Sequence, residues 1–170
     1  MDVFEATRTR RSIRSYLDKP VEEEKLLRVL EAARLSPSAV NLQPWDFVVV
    51  KNDATKEALS KSYPRLWFKS APVIIVACAT PKKAWRRSDG EEFWKIDVAI
   101  AVQSMILVAA AEGLGTCWIG AFDEKTAKAA LGIPEVVRVV AMTPLGYSAE
   151  TKGNVTDRKT LAEIVHHDRW

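Results

Sequence analysis

The alternation of apolar runs and polar stretches along the chain predicts a mixed α and β structure. Three short runs consist almost entirely of apolar residues bounded by turn residues, which is typical of buried strands. They cover residues 47–50, 73–78 and 136–143, and the turn at 144–146 is expected to close the third. Residues 116–120 predict a further short strand or extended segment.

Apolar residues at helical spacing predict helices between these strands. The glutamates at 22–24 suit the positive N-terminal end of one helix, which Pro37 ends because the residue before a proline is pushed out of the α region. Asn52 or Asp53 caps another, and Gly132 ends the helix that Asp123 caps. The predicted helices cover residues 2–9, 20–36, 53–62, 97–112, 124–131 and 161–167.

The helix predicted at 97–112 is apolar on nearly every side. Its fourteen residues from 98 to 111 would span about 21 Å, short of the roughly 30 Å hydrocarbon core of a bilayer, and Gln103 and Ser104 lie in its middle. A helix of this kind has to be covered all round. We therefore expect it to contribute to the core and to a dimer interface, and we expect no membrane partner.

Composition and charge favour a soluble globular protein. Apolar residues make up 48% of the chain and charged residues 28%, which is ordinary, and a net charge of +3 favours a local anion site over a surface that coats DNA. Cys78 and Cys117 lie in apolar segments without disulfide or zinc spacing, so we expect a cytoplasmic location and no metal. Residues 1–170 are expected to form one domain, α/β or α+β, around a single sheet.

One cluster of cationic residues stands out near the N-terminus. Arg8, Arg10, Arg11 and Arg14 lie within seven residues, together with Ser12. Arginine stays charged at neutral pH, and its planar fork of donors matches paired phosphate or carboxylate oxygens. By itself the cluster fits a solvated surface patch or a weak nucleic-acid footprint as well as a dianionic ligand.

Several familiar catalytic patterns do not fit. Gly113, Gly115 and Gly120 lack the spacing of the dinucleotide fingerprint, and they follow a predicted helix instead of a strand. His166 and His167 are adjacent and would point about 100° apart on a helix, so they would not share a metal ion. The chain also lacks a GxxxxGK phosphate loop and a nucleophile-elbow serine.

Taken together, the remaining motifs resemble the nitroreductase family of FMN-dependent oxidoreductases. Any one motif is moderate support, but they occur in the family order and extend over essentially the whole chain. They are RRSIRSY at 10–16, PSAVNLQPW at 37–45, Asp97, GLGTCWIG at 113–120, PLGY at 144–147 and RKTLAEIV at 158–165.

The resemblance implies a clamp for the phosphate of FMN. Arg10, Arg11 and Ser12 would hold the dianion, and Arg158 and Lys159 would close over it from the C-terminal tail. Charge-assisted hydrogen bonds contribute roughly 1.5–3 kcal/mol each, so three or four would retain a non-covalent cofactor tightly.

The resemblance also implies contacts with the flavin ring. Arg14 would lie at the pyrimidine edge, where a cation favours hydride acceptance, unless it forms a salt bridge with Asp18 or a glutamate at 22–24. Asn41 would offer a donor and an acceptor to the imide edge, and Gln43 would do the same or fix the loop. No side chain is an obvious general acid, so the flavin is expected to carry the chemistry. The other expected ring contacts are Pro37, Ser38, Ala39, and Ile119 and Gly120 with a backbone N–H near N5.

The implied fold is three-layered α+β (α/β/α), with a central, mostly antiparallel sheet flanked by helices. A C-terminal arm, residues 146–170, would be exchanged in a homodimer with two sites at the interface. NADH or NADPH would reduce FMN, and a small-molecule electron acceptor such as a nitroaromatic or quinone would then replace it in a ping-pong reaction. A non-catalytic flavin-binding or redox-sensing module of the same fold is the alternative. The sequence selects neither the acceptor nor the nicotinamide donor.

Overall fold

The computed structural model describes residues 1–170 and is built around one antiparallel sheet, which confirms the predicted α+β class. The strand order is β1-β2-β4-β3, with β2 and β4 central. Val76 of β2 lies opposite Val48 of β1 on one side and Met142 of β4 on the other. The strands are β1 (Trp45–Val50), β2 (Val73–Ala79), β3 (Gly115–Thr116) and β4 (Arg138–Gly146).

Helices cover both faces of this sheet, because alternate residues of β2 feed two separate apolar cores. Ile75 and Ala77 join the core that includes residues of α2 and α5, whereas Ile74 and Val76 join the core formed with α3, α4 and α6. The helices are α1 (Val3–Thr9), α2 (Glu23–Arg34), α3 (Asp53–Ser60), α4 (Leu66–Lys69), α5 (Trp94–Ala111), α6 (Glu124–Leu131) and α7 (Leu161–Ile164). Short 3-10 turns lie at Ala39–Asn41 and Pro81–Lys83.

The longest helix, α5, packs against α2 and the sheet but leaves one stripe open. Val98, Val102 and Met105 are buried in the core, whereas Ile96 and Ile100 are 41% and 38% exposed. The helix begins at Trp94 instead of the predicted residue 97, so its 18 residues are long and apolar enough to span a bilayer by length and composition alone. Its packing is that of a core helix with one uncovered side.

The predicted end of the third strand at Pro144 is wrong, for a reason that lies in the pairing. Met142 exchanges both backbone hydrogen bonds with Ile119, at 2.9 and 3.0 Å. The backbone groups of alternate residues in a strand face the same side, so Pro144 faces the β3 side, as Met142 does. It lies opposite Cys117, where the pairing of β4 with β3 is interrupted. The missing N–H of Pro144 therefore costs a bond only on the β3 side, where Thr143 Oγ1 donates to the Cys117 carbonyl at 3.3 Å instead. The pairing with β2 is intact, and β4 continues to Gly146.

Two other predictions need correction. The strand predicted at 47–50 begins at Trp45 and is half-buried, not buried, because β1 is an edge strand, and only Val50 is fully covered. The final helix stops at Ile164 instead of 167, and residues 153–170 are all exposed. Residues 146–152 of the C-terminal arm contact residues 12–17, whereas the rest of the arm has little packing against its own chain.

Candidate functional site

The N-terminal arginine segment is fixed to the edge of the sheet. Ile13 N–H donates to the Thr116 carbonyl at 2.8 Å, and Ser12 bridges Thr116 in parallel. The contact is so close that a Cβ atom on Gly115 would lie 2.8 Å from the Ile13 side chain. Glycine at 115 thus lets residues 10–14 lie directly against β3.

This segment and the C-terminal tail together line one cationic pocket of about 260 Å³. Arg158 is brought to it from the far end of the sequence, as predicted, whereas Lys159 does not line it. None of the four arginines that line the pocket (Arg10, Arg11, Arg14 and Arg158) forms an ion pair with a carboxylate of the chain. The lining residues are Arg10, Arg11, Ser12, Arg14, Lys152, Val155 and Arg158. We call this the clamp pocket, and its unpaired guanidinium groups suit a dianion.

Two residues of the clamp pocket region escaped the sequence analysis. Lys152 donates to the Ser12 carbonyl at 2.7 Å and lies 2.9 Å from a carboxylate oxygen of Glu150. Glu150 in turn accepts a hydrogen bond from the Arg14 backbone N–H at 2.6 Å. This bond, and to a smaller extent the one from Lys152, lowers the pKa of the Glu150 carboxyl. They lie in a polar stretch without periodicity, so only tertiary contacts reveal them.

Arg14 is not held by the acidic residues near it in sequence. Glu22 and Glu24 pair with Lys19 and Arg28 instead. The guanidinium carbon of Arg14 lies 6.0 Å from the centroid of the Trp67 ring, at the limit of a cation–π contact. Its charge is therefore free to face a ligand.

The second group of predicted residues forms a strained loop at 37–43. Val40, Asn41 and Gln43 all have left-handed backbones, with φ of 46°, 58° and 48°. Non-glycine residues in this region cost of order 1–2 kcal/mol each, and a β-branched residue such as Val40 is a marked outlier. Such strain persists only where surrounding contacts enforce it.

Internal hydrogen bonds within the loop leave a complementary donor and acceptor free. Gln43 N–H donates to Ser38 Oγ at 2.9 Å, and Gln43 Nε2 donates to the carbonyl and Oδ1 of Asn41 at 3.1 and 3.2 Å. Gln43 thus fixes the loop, the second of its two predicted roles. The Asn41 Nδ2 group remains available as a donor and the Gln43 Oε1 atom as an acceptor. Such a pair matches an imide edge, which presents carbonyl acceptors on either side of an N–H donor.

The 37–43 loop and the clamp pocket lie at opposite ends of the sheet. The loop is next to the end of β2, because the Pro44 carbonyl accepts a hydrogen bond from Thr80, the residue after β2. The clamp pocket is next to the start of β2: Ser12 bridges Thr116, Thr116 pairs with Leu145, and Leu145 pairs with Val73, the first residue of β2. The seven residues of β2 span about 20 Å at 3.3 Å per residue.

Helix α5 gives the same separation independently. The loop bonds to Asp97 near its start, whereas Ala110 near its end lines a pocket with Arg10 and Arg11. Thirteen residues at 1.5 Å per residue again give about 20 Å. Within one chain, the two halves of the predicted site do not meet.

Ile119 and Gly120 lie between these ends. Both backbone groups of Ile119 are paired with Met142, so its N–H is not free, whereas Gly120 N–H makes no backbone hydrogen bond. Gly120 is exposed, and a Cβ atom there would meet only Trp118 Nε1, at 3.8 Å, so little protein crowds this residue. Met142 lies three residues from Leu145, or about 10 Å along β4 from the clamp.

A larger cavity of about 760 Å³ lies elsewhere, between α6 and the start of β4. Its arginine and its buried lysine are each paired with a carboxylate, Arg138 with Glu124 at 2.8 Å and Lys128 with Glu135 at 3.3 Å, and only Lys125 forms no ion pair. We call it the α6 cavity.

Comparisons with known proteins match this chain to one family and to its fold. The model of the nitroreductase family matches residues 7–63 and 60–147. A Methanothermobacter thermautotrophicus protein, provisionally named NADH dehydrogenase/NAD(P)H nitroreductase, is 37% identical over 100% of this chain and 88% of its own. An FMN-dependent nitroreductase of Clostridium difficile R20291 is 33% identical and superimposes with a TM-score of 0.83, covering 95% of this chain and 96% of its own. A nitroreductase family protein of Clostridium difficile 630 gives a TM-score of 0.90 with 29% identity over 100% of both chains.

Proposed function

The chain belongs to the nitroreductase family and is an FMN-dependent NAD(P)H oxidoreductase, and we propose that the clamp pocket holds the phosphate of FMN. One observation carries the assignment: four arginines from both ends of the chain converge without a carboxylate partner. Ser12 and Lys152 add a hydroxyl and an ammonium group. Lys159 is left outside this set.

The residues along the sheet fit the remainder of that cofactor. The Gly120 N–H, about 10 Å from the clamp along β4, is free to donate near N5. The Asn41 amide and Gln43 Oε1 suit the imide edge, with the backbone of Pro37, Ser38 and Ala39 against the ring. When bound, FMN accepts hydride from NADH or NADPH and passes it to an acceptor. The protein binds and orients the ring, and solvent supplies protons.

The site is proposed to be completed by a second copy of the chain. The loop at 37–43 lies about 20 Å from the clamp of its own chain, so it would serve the clamp of a partner. The open stripe of α5 at Ile96 and Ile100 offers an apolar surface for that contact. A homodimer therefore gives two sites, each built from both chains.

The C-terminal arm is proposed to be exchanged between the subunits. Beyond the sheet, its apolar residues Leu161 and Ile164 are 76% and 56% exposed in the isolated chain. An apolar groove of about 690 Å³, lined by residues of α2, β1 and α6, runs beside the unpaired edge of β1 and could receive them. The arm would thus belong to the single domain at 1–170 while packing on its partner.

The proposed acceptors are nitroaromatics, quinones or similar conjugated compounds, which would occupy the place vacated by the nicotinamide. Apart from strand β2, the chain between β1 and α5 forms only two short helices, a 3-10 turn and a hairpin closed at Arg86 and Glu92, so the ring would remain accessible to flat acceptors of different shape. A cytoplasmic location is also proposed, since both cysteines are free and buried, and burial raises the pKa of Cys78 to about 12.

Anaerobic rapid mixing tests the proposal. The purified protein should be yellow, bleach on mixing with NADH or NADPH, and regain colour when a quinone is added afterwards. Flavin that remains oxidised with both donors would indicate the non-catalytic module instead. Protein that stays colourless with excess FMN would refute the clamp assignment.

A further inference from the structure

The strained loop at 37–43 is attached to α5 by a single buried carboxylate. Asp97 is 1% exposed, and its Oδ1 accepts the Ala39 N–H at 2.9 Å. Its Oδ2 is also buried and has no hydrogen-bond partner in the chain. Buried carboxylates are costly and are retained where they serve a purpose, and the proposed cofactor contacts give this one no role.

A second contact shows that the attachment is to one face of α5. Ser36 Oγ donates to Ser104 Oγ at 2.8 Å, just before the loop begins. Ser104 is seven residues from Asp97, close to two full turns, so both side chains lie on the same face. The loop is therefore held against α5 at its start and at Ala39, while Asn41 and Gln43 project beyond these contacts.

We propose that Asp97 is a positioning residue that holds the left-handed backbone of residues 40–43 and thereby sets the Asn41 amide against the flavin of the partner subunit. Without the Ala39 bond, Val40 and Asn41 would relax to more favourable backbone angles. The free amide donor would then no longer point at the imide edge. The inference depends on the proposed role of the loop at the flavin.

The test compares FMN binding by Asp97→Ala, Asp97→Asn and a matched control. Asp97→Ala should weaken FMN binding by about tenfold in fluorescence titrations and alter the visible circular dichroism of the bound flavin. Asp97→Asn keeps an acceptor oxygen for Ala39 and should restore the dissociation constant to within about threefold of the wild type. Asp123→Ala removes a similar bond, from Thr126 N–H at 2.8 Å, and should leave both flavin signals unchanged.

A double-mutant cycle with Asn41→Ala separates the possible outcomes. If Asp97 acts through Asn41, then Asp97→Ala should add little further loss in the Asn41→Ala background. Normal flavin signals in Asp97→Ala, with a loss in Asn41→Ala, would overturn the role of Asp97 alone. Normal signals in both would overturn the proposed loop contact itself.

Should Asp97→Ala fail to fold, Ala39→Pro deletes the same bond from the donor side. Ala39 is the first residue of a 3-10 turn, and Ser38 before it is extended at φ −139° and ψ 159°, as a residue preceding proline prefers. Ala39→Pro should reproduce the tenfold loss. Tight FMN binding by this variant would overturn the proposal.

Discussion

The clamp pocket and the α6 cavity are both rich in charged side chains, but they differ in how those charges are satisfied. The α6 cavity has nearly three times the volume, about 760 Å³ against 260 Å³, yet its arginine and buried lysine are paired with carboxylates. The clamp pocket has four arginines and no carboxylate partner for any of them. The comparison teaches that the two pockets differ in unsatisfied charge, and the proposed anion site depends on that difference and not on volume.

The largest expected effect comes from removing a clamp arginine. Arg10→Ala should weaken FMN binding about 10- to 150-fold, because a charge-assisted hydrogen bond contributes roughly 1.5–3 kcal/mol and each 1.4 kcal/mol is a factor of ten. Fluorescence titration measures the dissociation constant, and gel filtration shows whether flavin is lost. Arg138→Ala, in the α6 cavity, should bind FMN normally. Equal losses in the two variants would remove the distinction between the pockets.

A glycine near each pocket, Gly115 at the clamp segment and Gly132 in the α6 cavity, gives a second contrast. A Cβ atom at 115 would collide with Ile13 at 2.8 Å, so Gly115→Ala should cost about 1–3 kcal/mol of unfolding free energy and displace the clamp from β3. Gly132→Ala meets no atom within 4 Å and should cost about 1 kcal/mol from its φ of 64° alone. Denaturant unfolding measures both. Only Gly115→Ala should also weaken FMN binding. Unimpaired FMN binding by Gly115→Ala would mean that the clamp tolerates movement.

Lys152 and Lys128 make nearly the same contacts in the two regions. Each ammonium group donates to a backbone carbonyl at 2.7 Å and lies near one glutamate. Lys152→Met should weaken FMN binding about three- to tenfold, because it removes a charge near the phosphate that is partly screened by solvent. Lys128→Met should lower stability and leave FMN binding unchanged. A salt titration provides the check, since the wild-type dissociation constant should rise with ionic strength more steeply than that of Lys152→Met.

The smallest effect concerns pH. The Arg14 N–H and Lys152 lower the pKa of Glu150, as Arg138 lowers that of Glu124. A carboxyl group with a lowered pKa in the folded state stabilises the fold above its unfolded value of about 4.5, and this contribution disappears as pH falls through the folded pKa. Glu150→Gln and Glu124→Gln should each flatten the acid limb of the unfolding free energy by less than about 1 kcal/mol, since both carboxylates are partly exposed and screened by solvent. Only Glu150→Gln should also change FMN affinity, and an unchanged affinity would restrict Glu150 to a structural role.

The sequence predicted the elements of this comparison better than their spatial relations. Helix caps such as Asp123 and Gly132 act locally, so they could be predicted from residue type. The convergence of Arg158 on residues 10–14 was implied by the resemblance to the nitroreductase family. The place of Pro144 inside β4 depends on which neighbour its backbone faces, a matter of three-dimensional pairing. Lys152 escaped prediction because its partners, the Ser12 carbonyl and Glu150, are tertiary contacts.

The separation of the 37–43 loop from the clamp pocket has a genetic consequence. If each catalytic unit takes its phosphate grip from one polypeptide and its ring cradle from the other, two inactive alleles can rescue each other. Mixed dimers of Arg10→Ala and Asn41→Ala chains would contain one unit that carries both defects and one that carries neither. Co-expression of the two alleles would then yield activity that neither produces alone.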